Sequence, residues 1–510
     1  MALGLSLVLP ALPLQLAERA LPGMGPLAIV EGPPQRLQVI HCNAPAQAAG
    51  VAPGMKVVAA QALARELIAL ERNVEREQAA LAELAGWAYQ FSSHVVQQPD
   101  GLLLETGGSE RLFGDRARLH RAITLGLDTL GYRAAFACAD TPRCARVFAR
   151  AEASQGRHAA SPNLPPLAEA DSLRRLPIEF LEWDAVTNET LRALGLSAIG
   201  DLLRLPRDAF ARRFGTGRLD DLDRALGMRS TPQPLYVPPA HFSARIELPA
   251  DISETAQLMF PARRLLASLE GFLRGRNAGA TELLFAATHS ARRSVETAPT
   301  TVTLALAAPE RDAQRLAALL GERLARVQLP APALTLALTV ERLHAFAALN
   351  ASLLPPSAHD GDVGVDWLQL AETLHARLGS ERVFQLKAVD DHRPERAWCA
   401  LPIAVGDESR TAPRSITSAP RPLLLLPTPQ PLAAHGEQPL LPPQREPLTL
   451  VTGPERIECG WWDVSGPAAG SPARAVHRDY FVARNARGQW LWIYRELAAP
   501  RGWFLHGLFA

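Results

Sequence analysis

The sequence predicts an α+β protein of several domains, on three observations. Short apolar runs of strand length alternate with amphipathic stretches of helical length through the first 155 or so residues. Residues 242–343 spell a complete β-α-β-β-α-β series, the ferredoxin-like order. Two proline-bearing joints, Ser161 to Pro166 and Thr231 to Pro239, divide the chain around a helical segment. At 510 residues the chain should form roughly three to five domains, because single cores rarely grow past about 250 residues.

Leu5 to Leu9 reads as a buried first strand. Met1 to Ala17 carry no charged side chain, as in a signal peptide, but a basic n-region is missing and Pro10 and Pro13 interrupt the run. It is also too short to span a bilayer as a helix. Leu27 to Val30 predicts a second strand, followed by a Gly-Val-x-Pro-Gly-Met turn at Gly50 to Met55. One long helix is expected from about Ala59 to Trp87, charged on one face by Arg65, Glu66, Glu71, Arg72, Glu75 and Arg76. A strand at 101–105 comes next, then a helix near Asp115 to Leu130, a strand at Ala134 to Ala139, and a helix from Thr141 to about Ala153. Leu176 to Leu226 should be short helices joined by Leu-Gly-Leu turns. Residues 400–450 hold 11 of the 43 prolines, which predicts an extended linker. "DYFVARNARGQWLWIYREL" predicts two strands around an Asn-Ala-Arg-Gly turn, with Trp490, Trp492 and Tyr494 sharing a face. That stripe is either the core of a small domain or a partner surface.

Bulk charge excludes several functions. Lys plus Arg total 53 against 52 Asp plus Glu, so no overall field draws the chain to nucleic acid or membrane. The two lysines, Lys56 and Lys387, lie outside any Gly-Lys-Ser/Thr context, which excludes a Walker-type phosphate loop. Five cysteines form no C-x-x-C pair, which argues against zinc and a disulfide framework and fits a reducing cytosol. "HRD" at His477–Asp479 has no Gly-rich loop or partner lysine, so it is not a kinase catalytic loop.

The acids Asp100 and Glu105 flank the apolar run Leu102–Leu104, and acids at the edge of a buried strand can hold a catalytic metal. The family resemblance decides how to read them. "AAGVAPGMKVVAA", "PDGLLLETGG" and "LPIEFLEWDAVTNETLRALGLSAIGDLL" resemble the fingers, palm strand and thumb of Y-family (translesion) DNA polymerases. "VDDHRPERAW", "GPERIECGWWD", "RDYFVARN" and the terminal "GWFLHGLFA" resemble the ImuB group, the non-catalytic relatives found in bacterial mutagenesis operons. The resemblance implies a palm and fingers over 1–165, a helical thumb over 166–239 and a ferredoxin-like little finger over 240–348. A clamp-motif loop and connecting helical segment at 349–399, a proline-rich linker at 400–450 and an aromatic β-rich module at 451–510 would follow.

Active members hold two Mg²⁺ with one acid on the first strand and an adjacent Asp-Glu pair on the central strand. Here no Asp or Glu precedes Glu18, and the pair falls on Asp100 and Gly101. The fingers Tyr and Arg that hold the triphosphate correspond to Ala44 and Gln47, and the lysine-bearing segment after the palm helix is the lysine-free Ala149–Gly156. Asp100 and Glu105 therefore read as degenerate remnants, with no catalytic residue, metal or cofactor expected. By resemblance the chain is a cytoplasmic, membrane-free adaptor of the damage-induced (SOS) mutagenic translesion response. It would join primer-template or damaged DNA, the sliding clamp, an ImuA-type RecA-like protein and an error-prone C-family DNA polymerase. The rival is an active Y-family polymerase with an unconventional metal site around Asp100 and Glu105; the acid-free first strand separates the two.

Candidate contacts follow. Arg263, Arg264, Arg274, Arg276, Arg292 and Arg293 are the concentrated positive charges of the little finger, suited to phosphate. "NASLLPP" places Leu353 and Leu354 as clamp anchors, with Asn350 replacing the usual Gln. Trp490, Trp492 and Tyr494 are the partner-binding candidates of the tail, since interfaces favour Trp and Tyr.

Overall fold

The computed structural model describes residues 4–20, 23, 25–156, 167–168, 170–230, 232–289, 298–346, 362–379, 381–389, 391–401, 421–460 and 475–509. It divides into two compact units, Met1–Arg377 and Leu378–Ala510.

The first unit opens with β1 (Gly4–Val8) and α1 (Leu12–Glu18). A small fingers sheet follows, built of β2 (Leu27–Glu31), β3 (Gln38–Cys42) and β4 (Ile68–Glu71) in the order β3-β2-β4. Helices α2 (Ala44–Ala48) and α3 (Val57–Leu63) belong to it. The single helix expected over 59–87 is therefore three elements: α3, β4 and α4 (Val74–Ala88). Two causes break it. Ile68–Glu71 pairs in parallel with β2, and Asn73 caps α4 by accepting a hydrogen bond from the Arg76 N–H at 3.0 Å. A charged helical face alone did not reveal a strand whose stability comes from a partner far along the chain.

The palm continues with β5 (Val95–Gln98), β6 (Gly101–Glu105), α5 (Glu110–Phe113), α6 (Arg116–Leu130), β7 (Ala135–Ala139), α7 (Pro142–Ser154) and β8 (Leu167–Ala168). Asp115 and Thr141 cap α6 and α7, where the sequence starts both helices. The sheet order β5-β6-β1-β7-β8 puts β1 at its centre, antiparallel to both β6 and β7. Leu5, Leu7, Leu102 and Leu104 pack on one face with Leu84 and Trp87 of α4 and Ile123 of α6. On the other face, Val8 and Leu103 meet α7 and the thumb. Burial on both faces explains the unbroken apolar runs of these strands.

The thumb is α8 (Ala170–Leu173), a 3₁₀ turn at Ile178–Leu181, α9 (Ala185–Ala193), α10 (Ile199–Leu202), α11 (Arg207–Phe214) and α12 (Thr216–Ala225), the short-helix arrangement the sequence predicts. The little finger runs β9 (Phe242–Ile252), α13 (Thr255–Gly275), β10 (Ala278–His289), β11 (Thr300–Glu310), α14 (Ala313–Leu324) and β12 (Ala333–Val340). The β-α-β-β-α-β order is as expected, and the strands lie side by side as β11-β10-β12-β9, all antiparallel. A short β13 (His344–Ala345) pairs with β10, and α15 (Asp362–Leu378) returns to this domain. Glu372 of α15 is buried, accepts from the Ala307 N–H at 2.8 Å and pairs with Arg315. The segment expected only to connect domains thus contributes a helix to the little finger.

The second unit begins with the hairpin β14 (Gln385–Ala388) and β15 (Trp398–Leu401). A seven-stranded sheet follows: β16 (Leu424–His435), β17 (Gln438–Leu441), β18 (Glu446–Pro447), β19 (Thr449–Cys459), β20 (Val476–Arg484), β21 (Trp490–Glu496) and β22 (Gly502–Leu508). The linker expected over 400–450 is therefore corrected from residue 424 onward: these are strands. Proline density misled because Pro427 and Pro429 fall in the register gap of β16 between Leu425 and Gln430, where no ladder N–H is needed.

Candidate functional site

Pro99 and Asp100 form the two-residue turn between β5 and β6, so the Asp100 carboxylate stands at the end of the palm sheet. Helix α7 passes this edge and places Arg143, Arg146 and Arg150 on one face by their i, i+3 and i+7 spacing. Arg146 Nη1 lies 2.9 Å from Asp100 Oδ1 as an ion pair without hydrogen-bond alignment, and Arg150 donates to Oδ2. Glu182, just after the 3₁₀ turn of the thumb, completes the set. Arg146 donates to it through Nε at 2.6 Å and Nη2 at 2.7 Å, and Arg150 Nη1 stands 2.9 Å away. This fork geometry is the strong form of a guanidinium–carboxylate contact. Burial opposes ionisation of Glu182, but the Arg146, Arg150 and Arg143 guanidiniums outweigh it and hold the carboxyl below its ordinary range. Arg143 also reaches Asp221 at 2.7 Å, so palm and thumb are joined by three arginines and three acids.

Gly101 follows directly. Its backbone runs so close to β1 that a Cβ there would lie 2.0 Å from Leu7 O and 3.0 Å from Val8 Cα. A side chain at this position cannot be added without moving the central strand of the palm.

A cleft of ≈ 550 Å³ opens beside this edge, lined by Leu9 to Pro13, His41, Arg72, Glu77, Asp100, Arg150 and Glu179 among others. Each of its three carboxylates already has a guanidinium: Asp100 has Arg146 and Arg150, Glu77 has Arg72 at 2.7 Å, and Glu179 has Arg192 at 2.6 Å. This donor set does not suit Mg²⁺, which needs carboxylate oxygens free of competing cations. No cluster of three or more His, Cys, Asp or Glu side chains able to hold a metal occurs among the described residues. Glu105 lies at the far end of β6, opposite Gly4, and five steps along the strand separate it from Asp100 by roughly 17 Å. The two acids are not brought together. In the fingers, Ala44 opens α2, and Gln47 Nε2 donates to Cys42 O at 2.9 Å, a structural contact.

The described arginines of the little finger do not form a cluster. Arg263 is exposed. Arg264 turns inward over Phe260, 4.4 Å from the ring centroid, and against Gly131 at the end of α6; burial lowers its pKa to about 10. Arg274 pairs with Glu270, and Arg276 donates to the carbonyls of Pro238 and Pro239. Arg292 and Arg293 lie outside the described residues, as do the clamp candidates Asn350, Leu353 and Leu354. In the tail the aromatic stripe divides. Trp492 and Tyr494 are 2% and 4% exposed, and Trp492 stacks on Tyr480 with centroids 4.2 Å apart. Both are core, which corrects the expectation of a three-residue partner surface; Trp490, at 43% exposure, alone remains open. The helix α7 was expected from the sequence, but the role of its arginines was not. Its Arg-x-x-x-Arg spacing at 146 and 150 was visible, but the acids it meets are 46 and 32 residues away in the chain.

Residues 14–150 match the impB/mucB/samB family. Two curated proteins named ImuB, from Caulobacter vibrioides strains NA1000 / CB15N and ATCC 19089 / CIP 103742 / CB 15, are each 30% identical over 485 residues, covering 90% of this chain and 100% of theirs. The chain belongs to the ImuB family. Among solved structures, a Y-family DNA polymerase chimera of Dbh and Dpo4 aligns with a TM-score of 0.38 at 15% identity, over 66% of this chain and 98% of its own. DinB from Sulfolobus solfataricus aligns at 0.37 and 14%, with the same coverage. Membership of this family makes the palm, fingers, thumb and little finger those of a Y-family polymerase homologue. No helix among the described residues is long and apolar enough to cross a membrane.

Proposed function

We propose that this ImuB homologue is a non-catalytic adaptor of a mutagenic translesion complex. In this reading it links primer-template or damaged DNA, the sliding clamp, an ImuA-type RecA-like protein and an error-prone C-family polymerase. The observation that carries the reading is the state of Asp100: its carboxylate is taken by Arg146 and Arg150, in the place where a polymerase of this fold needs free acids for two cations. The close approach of β1 to Gly101 and the acid-free β1 support it. DNA contact falls to exposed cations such as Arg263, with Arg292 and Arg293 as further candidates. Clamp contact falls to Asn350, Leu353 and Leu354.

Primer extension with Mg²⁺ or Mn²⁺ tests the reading. The purified chain should not extend a primer with either ion. Asp100→Ala should leave mutagenesis in cells nearly unchanged. Extension by the wild type that vanishes in Asp100→Ala would overturn the adaptor reading in favour of an active polymerase.

A further inference from the structure

The little finger rests on the palm through a seam of unusual closeness. Helix α13 crosses α4 and α6, and the indole of Trp87, 3% exposed, is enclosed between them. A Cβ on Gly271 of α13 would come within 2.2 Å of Trp87 Cδ1, and one on Gly126 of α6 within 2.3 Å of Trp87 Cζ2. A Cβ on Gly275 would lie 2.9 Å from the Gln90 backbone nitrogen. Next to Trp87 on α4, a Cβ on Gly86 would meet Phe272 of α13 at 3.2 Å and the Tyr236 hydroxyl at 3.1 Å. Four glycines therefore remove side chains at the points where one large ring and one helix backbone need the space. Interiors packed this tightly have discrete arrangements and do not slide.

Charged contacts surround the apolar centre. Arg76 of α4 pairs with Glu247 of β9 at 2.5 Å, and Glu83 of α4 accepts from the Arg245 N–H at 3.3 Å. Arg264 of α13 lies over the end of α6, as described above. The joint between thumb and little finger is pinned as well: the Tyr236 N–H donates to Val95 O of β5 at 2.7 Å, and Arg276 holds Pro238 and Pro239.

We propose that the little finger is locked to the palm as one rigid body by the glycine-lined Trp87 seam and its ionic rim, and that it keeps this position when DNA binds. A detached little finger would expose Trp87 and Phe272, two aromatic side chains that are each 3% exposed. The cost of that exposure opposes a swinging domain. The lock also explains why Arg264 and Arg276 are turned toward protein: both are spent on the seam and its joint. It does not depend on the adaptor reading, since an active polymerase could carry the same seam.

The test is a distance between spin labels at Leu125→Cys on α6 and Gln314→Cys on α14, in a full-length chain carrying Cys399→Ser. Both label sites are exposed. The expected result is one narrow distribution that primer-template DNA leaves unchanged. Gly271→Leu, which drives a side chain into Trp87, should broaden it; Gly271→Ala serves the same purpose if the leucine variant does not fold. A broad distribution in the unsubstituted seam, or a shift when DNA binds, overturns the rigid body. Folded Gly271 variants that retain the narrow distribution overturn the role of the Trp87 seam.

Discussion

The Asp100 edge of the palm and the Trp492 face of the tail are held by opposite means. At Asp100 the palm meets the thumb through arginines and acids that remain partly exposed: the side chain of Asp100 is 28% exposed and that of Arg150 34%. At Trp492 the contact is almost dry, with Tyr480 and His506 stacked on the indole within 6 Å and Tyr494 tilted against Tyr480. Partly solvated ion pairs add little net stability but fix orientation, whereas buried aromatic area is the main source of folding energy. The first region therefore sets geometry between domains, and the second makes a module that stands by itself. If the chain is the adaptor proposed above, a palm edge that serves as a joint and a tail with its own core both suit that role.

Trp492→Ala should break this contrast most strongly. Removing a fully buried Trp costs roughly 3–5 kcal/mol, and here it opens the centre of the aromatic cluster. Calorimetry of the full chain should show the transition of the C-terminal unit fall while that of the first unit stays. A coincident fall of both would mean that the units do not unfold independently.

Asp100→Ala should act on the other side of the comparison, and less. A buried ion pair that loses one partner costs roughly 3–5 kcal/mol, but exposure at Asp100 reduces this to about 1–2 kcal/mol. Glu182 remains to hold Arg146 and Arg150, which limits the loss further. Denaturant melts of the first unit read the effect. A cost as large as that of Trp492→Ala would show the joint to be a core element.

These two regions also show what a sequence displays and what it withholds. Strands β6 and β7 and helices α6 and α7 were legible within a residue or two, because caps at Asp115 and Thr141 are local signals. Strand β5, the other arm of the Asp100 turn, was not predicted. The Asp100 network was not, because Glu182 enters from another domain and Gly101 reveals its purpose only once β1 lies against it. In the tail, the period of two correctly grouped Trp490, Trp492 and Tyr494 on one face. Whether that face is covered depends on the other strands of the sheet, which no local pattern states. Proline density hid those strands, because a proline in a register gap looks like a proline in a linker.

Glu83→Gln should separate the seam from both regions through pH. Burial raises the Glu83 carboxyl to about 7 from an ordinary 4.5, against the opposing pull of Arg19 and the Arg245 N–H. The folded state thus keeps a proton that the unfolded chain releases. Its contribution is complete below about pH 4.5 and is lost as pH rises to about 7. Glu83→Gln should therefore make the first unit more stable than wild type at pH 8, with the difference vanishing near pH 4.5. The C-terminal unit should not respond. A difference that is constant with pH would assign Glu83 an unperturbed carboxyl.

Trp490→Ala carries the smallest expected effect on stability and the sharpest functional one. The residue ends the β21 stripe opposite Arg484 of β20, and it is 43% exposed while its stripe partners are sealed. Exposed Leu450 and Val451 lie on β19, separated from Trp490 by β20. Truncating a surface residue of this kind should change stability by less than about 0.5 kcal/mol. If the tail recruits the ImuA-type protein or the C-family polymerase, a Trp at an open strand end is the side chain best suited to anchor it. An interface anchor of this type carries roughly 2 kcal/mol, which is about thirtyfold in affinity. Titration of each partner against Trp490→Ala should then show that loss with the melting profile unchanged. Wild-type affinity for both partners would move recruitment away from this face, and the comparison would reduce to a tail whose aromatic residues serve only its own fold.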